Sequence, residues 1–170
     1  MLTDSLSQSS AIPPRLRPNK RFQPCPITEG DEIFANGIFE FNITRILALL
    51  DTDPVRFSVE VVKVATIVDY GGRNLDEATI LAADLSRPIL LAEIAPGRYN
   101  PIDGNHRIAK ARRDRVASIP ARRIGCPAHI PFLTSTRAYE SYVEYWNSKI
   151  KELRPRPQRT SLATQQNLTA

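Results

Sequence analysis

Five consecutive residues, Asp103-Gly104-Asn105-His106-Arg107, bring together the side chains best suited to chemistry. Glycine can take the positive φ that a tight turn needs, and it leaves room for a ligand close to the backbone. Asp103 or Asn105 can cap a following helix by accepting a hydrogen bond from one of its free N–H groups. The remaining N–H groups and the positive end of the helix dipole favour an anion, and Arg107 adds a two-pronged donor that fits phosphate. That is a phosphate site in outline. If the site also hydrolyses a phosphoester, Asp103 and His106 are the candidate catalytic pair, as metal ligand or general base, with Asp76 or Glu77 as further carboxylates. The plainer alternative is a capped helix start with His106 and Arg107 in water, and Asp76 and Glu77 as ordinary first-turn acids.

A turn of this kind must sit between a strand and a helix. Upstream, Arg98-Tyr99-Asn100-Pro101-Ile102 reads as extended. Downstream, Ile108-Ala109-Lys110-Ala111-Arg112-Arg113 is rich in helix formers. Further back, Ile89-Leu90-Leu91-Ala92-Glu93-Ile94 is apolar enough for a central strand, and Pro96-Gly97 turns it into its hairpin partner. Asn74 is expected to cap a helix with Glu77 three residues on, burying Leu75, Ala78, Ala82 and Leu85 and stopping at Arg87-Pro88. Phe57-Ser58-Val59-Glu60-Val61 alternates as a strand, and residues 62–68 continue it with the alternation shifted near Val61-Val62, as at a bulge. Gly71-Gly72 ends that strand.

Asn36-Gly37 predicts a hairpin turn, and Asn42 caps a helix carrying Ile43, Ile46, Leu47 and Leu50 that ends at Asp53-Pro54. Ile119-Pro120-Ala121-Arg122-Arg123-Ile124 reads as an edge strand because of its proline. From about Ser135 an amphipathic helix places Tyr139, Tyr142, Val143, Trp146, Ile150 and Leu153 on one stripe, a packing pattern rather than a ligand box.

Charge is unevenly spread over a chain of net +5. Residues 29–100 hold twelve acidic and six basic side chains; residues 107–123 hold seven basic against Asp114 alone. A concentrated positive field suits a polyanion, and it nominates Lys110, Arg112, Arg113 and Arg115 as nucleic-acid contacts. No aromatic interrupts this run, so a single-strand stacking platform is not indicated. Cys126-Pro127-Ala128-His129 has metal-like spacing, but one Cys and one His do not make a four-ligand zinc site, and no metal site is assigned. Cys25 and Cys126 suggest no disulfide framework. With no signal-peptide pattern at the first residues and no apolar run of membrane-spanning length, the expectation is a soluble protein of a reducing cytoplasm. Residues 1–26, proline-rich and basic, and 154–170 are expected to be unstructured, flanking one domain over 27–153.

The order of strand, capped helix, apolar strand, Pro-Gly turn, strand ending Ile-Asp-Gly-x-x-Arg, basic helix and Ile-Pro strand resembles the ParB/sulfiredoxin superfamily. The likeness is to its ParB-like N-terminal (nuclease-like) domain. Leu75-Asp76-Glu77, Arg87-Pro88-Ile89-Leu90, residues 97–107 and Ile119-Pro120-Ala121 carry the likeness, over about 57–124. It implies an α/β fold with a small mixed sheet and flanking helices, here with a C-terminal amphipathic helix added, in a bacterial or mobile-element setting. It also implies that the Gly-x-x-Arg turn, here Gly104, Asn105, His106 and Arg107, holds the phosphates of CTP or ATP with Mg²⁺, as a nucleotide-binding module that extends to a nucleotide triphosphatase or a ParB-like nuclease. Two departures narrow this. Sulfiredoxins place a catalytic cysteine where Asn105 stands, and partition proteins carry Gly-Glu-Arg-Arg and further DNA-binding and dimerisation domains. The rival readings are a DNA-binding or nuclease module using residues 107–115, and a protein-interaction adaptor acting through the Trp146 helix or the tails.

Overall fold

The computed structural model describes residues 12–37, 39–68 and 75–153. It is a mixed α/β structure. A hairpin of β1 (Ile33–Asn36) and β2 (Phe39–Asn42) opens it, with Ile33 opposite Asn42 and Asn36 opposite Phe39. Gly37, at φ +66°, follows the last paired residue Asn36, so the turn starts one residue later than the expected Asn36-Gly37 pair. Asn42 caps α1 (Ile43–Thr52) as expected, its Oδ1 accepting the Arg45 N–H at 3.1 Å. Its Nδ2 donates to Asp31 at 2.7 Å and to the Pro26 carbonyl, so a fully buried amide uses both ends.

The main sheet has the order β3 (Glu60–Lys63), β6 (Ser118–Ile124), β4 (Ile89–Ala95), β5 (Arg98–Asp103). β3 and β6 are antiparallel, β6 and β4 parallel, β4 and β5 an antiparallel hairpin. β4 is central, as its composition required. Its Leu90, Ala92 and Ile94 face one core with Phe41, Ile46, Leu133 and Tyr142, while Ile89 and Leu91 face a second with Ile108, Ala111, Ile119 and Ala121. α1 and α4 (Thr136–Leu153) cover the first face and α3 (Asn105–Arg113) the second.

Several expectations need correction. β6 is not an edge strand; it lies between β3 and β4. Its parallel ladder with β4 begins at Ala121, one residue past Pro120, so the proline is accommodated at the strand's start. The 57–68 run is not one strand with a bulge. Only Glu60–Lys63 pairs, and Val64–Thr66 turn as a short 3-10 helix. The alternation shifts because Phe57 packs into the first core while Val62, Val64 and Ile67 pack into the second. α2 (Glu77–Ala82) buries no residue, contrary to the expected inward face, and it ends well before Arg87-Pro88. Its cap is Asp76, which accepts the Thr79 N–H at 2.7 Å; the expected cap Asn74, and Gly71-Gly72, lie outside the described residues. Leu153 is 51% exposed, so the stripe on α4 ends at Ile150. Residues 12–26, expected to be unstructured, form no regular element but lie against α4 through specific bonds. The stretch 1–11 and the tail 154–170 lie outside the described residues.

The basic helix α3 stops in a Schellman motif. Val116 N–H reaches the Ala111 carbonyl at 2.8 Å and Arg115 N–H the Arg112 carbonyl at 3.2 Å, with Val116 tucked against the second core. This leaves Arg115 at φ +55°, a conformation that favours glycine. An L side chain there costs about 1–2 kcal/mol, partly offset by glycine's extra freedom in the unfolded chain. Arg115→Gly is thus expected to raise stability by about 0.5–1 kcal/mol in urea unfolding, and a lower midpoint would contradict this account.

Candidate functional site

The turn that opens α3 owes its geometry to a bulge and a glycine. The register of β4 against β5 shifts between Leu90 and Leu91, which face Asp103 and Pro101. The irregularity lets the chain leave the edge strand at Asp103. Gly104 follows at φ +93°, ψ 24°. A Cβ on it would lie 2.5 Å from Ile89 Cγ2 and 2.9 Å from Ile89 Cβ, so the backbone lies directly on the β4 side chain.

Neither Asp103 nor Asn105 caps the helix, contrary to the expectation. Gly104 holds the N-cap position, and no side chain caps there. The first intrahelical bond is Ile108 N–H to the Gly104 carbonyl, 2.9 Å, so the N–H groups of Asn105, His106 and Arg107 precede the ladder. Asp103 is otherwise employed. Its Oδ2 accepts from an Arg107 Nη at 2.7 Å, an i,i+4 pair whose side chains are only 20% and 13% exposed. The candidate phosphate donor is thus held by the candidate catalytic carboxylate.

Residues 102–107 line one side of a cleft of about 500 Å³. Asp103, Gly104, Asn105, His106 and Arg107 all reach it, so the structure brings the predicted turn residues together. The rest of the lining comes from distant parts of the sequence: Glu32 just before the hairpin and Phe34 in it, Leu47 from α1, Leu75, Thr79 and Ala82 from the region of α2, and Asp84 and Arg87 from the link to β4. These were missed. Arg87 reads in sequence only as a helix stop, and its Arg-Pro-Ile-Leu context was the one signal that could have marked it. The cleft is therefore lined by two guanidinium-bearing residues, Arg87 and Arg107, beside the helix start, and by the apolar Phe34, Leu47 and Ile102. Its volume suits a mid-sized organic ligand.

The carboxylates around it have assigned work. Asp76 is held below the usual carboxylate range by the Thr79 hydroxyl and N–H, with the His106 ring contributing. Asp84 is lowered by the Ser86 hydroxyl and N–H, with Arg87 and Lys110 adding to it. Glu77 pairs with Arg113 at 3.1 Å. Asp76 is thus the cap of α2, not a first-turn acid as the plainer reading had it, while Glu77 is one and docks on α3 through Arg113.

The basic run is also largely committed. Lys110 Nζ donates to the carbonyls of Leu81 (2.8 Å) and Ala83 (2.7 Å), capping the C-terminal end of α2 and holding that wall of the cleft in place. Arg112 donates to the Ile67 carbonyl, and Arg113 to Asp114 and Glu77. Arg122 reaches Asp51, and Arg123 pairs with Glu60 and lies over the Tyr99 ring. Arg115 is exposed.

The Cys126–His129 stretch is a structural knot. His129 is fully buried, with Nε2 at 2.6 Å from the Glu93 carbonyl, which also accepts the Tyr142 hydroxyl at 2.9 Å. A carbonyl can only accept, so Nε2 carries the proton and the buried Nδ1 has no partner. Burial pushes the His129 pKa down to about 4 and the Cys126 thiol up to about 11. Among the described residues, no group of three or more His, Cys, Asp or Glu side chains could hold a metal ion. Nor is any described helix long and apolar enough to cross a membrane. No protein-family model, curated protein or solved structure matches the chain.

Proposed function

We propose that the chain is a nucleotide-binding module of the ParB/sulfiredoxin kind, taking the phosphates of CTP or ATP, with Mg²⁺, at Gly104, Asn105, His106 and Arg107. One observation carries the reading: a helix start without a side-chain cap opens into the 500 Å³ cleft beside Arg107 and Arg87. A phosphate there would accept from the amides that precede the helical ladder and sit at the positive end of the α3 dipole. The apolar lining residues of the cleft would take the less polar part of the nucleotide. Asp103 and Glu32 make the cleft unfavourable for a naked polyanion, which is why a divalent cation accompanies the nucleotide in this reading. The cellular setting that goes with it is the cytoplasm, in DNA-related or mobile-element processes.

Calorimetry with CTP, ATP, GTP and ADP, each with and without Mg²⁺, tests this. Binding of one triphosphate, strengthened by Mg²⁺, is expected. Arg107→Ala is expected to weaken it by about 1.5–3 kcal/mol, roughly tenfold to more than a hundredfold. That variant also leaves Asp103 without its partner, so Asp103→Asn/Arg107→Ala should recover stability without recovering affinity. No binding of any of the four, with the wild-type protein folded, rejects the proposal.

Hydrolysis extends the same proposal, with Asp103 leaving Arg107 to hold the cation and His106 orienting water. Asp103→Asn should then abolish Mg²⁺-dependent turnover while the nucleotide still binds. Binding without turnover by the wild-type protein would make the site a binding site only.

A further inference from the structure

Residues 12–26 lie along α4, and the bonds between them have a consistent form. The segment has no regular structure and carries prolines at 13, 14, 18, 24 and 26. Tyr139, Trp146 and Asn147 of α4, two helical turns apart, supply the contacts. The Asn147 amide makes a two-point bond to the main chain of Leu16: its Oδ1 accepts the Leu16 N–H at 2.8 Å and its Nδ2 donates to the Leu16 carbonyl at 2.9 Å. The Trp146 indole N–H donates to the Pro14 carbonyl at 3.3 Å. The Tyr139 hydroxyl accepts the Asn19 N–H at 2.7 Å, and its ring stacks on Phe22 with centroids 4.1 Å apart and planes 10° from parallel.

Each of these bonds ends on the main chain of the 12–26 segment. Leu16 and Phe22 add apolar contact, while Arg15, Arg17, Lys20 and Arg21 are exposed. Aromatic rungs combined with polar side chains that pair with main-chain groups are how grooves recognise extended proline-rich segments. Such a groove reads backbone conformation and a few apolar side chains rather than a full sequence. On the same two turns, α4 exposes Glu140 and Glu144, which suit a basic segment.

We propose that this face of α4 is a binding site for an extended, basic, proline-rich segment, filled in cis by residues 12–26 and open in trans to a partner protein's segment of the same chemistry. The cis segment is a tethered competitor. A short tether gives it an effective concentration in roughly the millimolar range, so a partner gains the site only by binding more tightly or when the cis segment is detached. Detachment is local to residues 12–24, none of which is buried, because the chain stays anchored at Cys25, a buried residue whose N–H donates to the Leu133 carbonyl at 2.8 Å.

The test uses the full chain and a fluorescein-labelled peptide of residues 12–26 as the probe, read by anisotropy. Leu16→Ser/Phe22→Ala weakens the cis segment and leaves α4 intact. It is expected to bind the peptide at least roughly tenfold more tightly than the wild-type chain does, because the tethered competitor is lost. Adding Asn147→Ala should cancel the gain. Equal binding by the wild-type and double-variant chains, or a gain indifferent to Asn147, overturns the proposal. Loss of a cooperative melt in the double variant also overturns it, by making 12–26 part of the core. In the unaltered protein, the Leu16 and Asn19 N–H groups should exchange hydrogen faster than those of β4. Equal protection would show that the segment opens only with the whole fold, and would sink the idea independently.

Discussion

Gly104→Ala is expected to cost about 2–5 kcal/mol of stability and to eliminate the proposed nucleotide binding in the cleft. Two physical terms contribute. The backbone stands at φ +93°, where an L side chain costs about 1–2 kcal/mol. The new Cβ would lie 2.5 Å from Ile89 Cγ2, and overpacking of this kind typically costs about 1–3 kcal/mol. Ile89 cannot easily give way, because it is buried at the start of the central strand. The Cγ2 contact can be separated from the rest. In an Ile89→Ala background it is removed, while the 2.9 Å approach to Cβ and the backbone cost remain, so the effect of Gly104→Ala should shrink without vanishing in a double-mutant cycle. Urea unfolding of the four proteins measures this. If Gly104→Ala were neutral in the wild-type background, the turn would not have the geometry described.

Acid should weaken the fold through His129, and the sign follows from its burial. In the unfolded chain the imidazole titrates near 6.5; in the folded protein burial lowers this to about 4. Above pH 6.5 both states are neutral and His129 contributes no pH dependence. Between pH 6.5 and about 4 the unfolded chain takes up a proton that the folded one refuses, so stability falls by about 1.4 kcal/mol per pH unit. The loss approaches about 3 kcal/mol at pH 4. The neighbours offer only partial relief. The Glu93 carbonyl and the charge of the Glu93 carboxylate, which is held by the N–H groups of Cys126 and Gly97, favour the protonated ring, and burial outweighs both. His129→Gln keeps a donor for the Glu93 carbonyl and removes the titration. It should be less stable at pH 7.5 yet lose about 2–3 kcal/mol less than wild type on going to pH 4.5. Parallel slopes for the two proteins would refute the assignment.

What the sequence made legible was local. Asn42 announces its helix because a cap needs one side chain and an amide three residues on. The turn at Gly104 was legible for the same reason, since strand, glycine and helix are neighbours in the chain. The Asp103–Arg107 pair was within reach too: the two are four residues apart, the spacing of a helical ion pair, but each had been given a separate chemical role. What stayed hidden depends on distant partners. β6 looked like an edge because its proline is visible and its parallel neighbour, some thirty residues earlier, is not. The far walls of the cleft come from Glu32, Phe34, Leu47, Asp84 and Arg87, and no local pattern links these to residues 103–107. Residues 12–26 looked unstructured because their contacts run through main-chain groups, which carry no compositional signature. The need for a partner was nonetheless written in α4, where Trp146 and Tyr139 carry polar atoms that seek one once buried.

α2 carries a consequence for how the sequence can drift. It buries no side chain, and it is held by the Asp76 cap, by the Glu77–Arg113 pair and by Lys110 clasping its last carbonyls. A helix secured at its two ends, and not by its face, is nearly blind to what its middle residues are. Ala78, Leu81 and Ala82 could be replaced by most helix formers with little effect on stability, while Asp76 and Lys110 could not. Under saturating mutagenesis selected for folding alone, this stretch should tolerate substitution as a surface loop does. Selection for ligand binding would restore constraint at Thr79 and Ala82, which reach the cleft. The difference between the two tolerance maps would distinguish residues kept for folding from residues kept for the ligand.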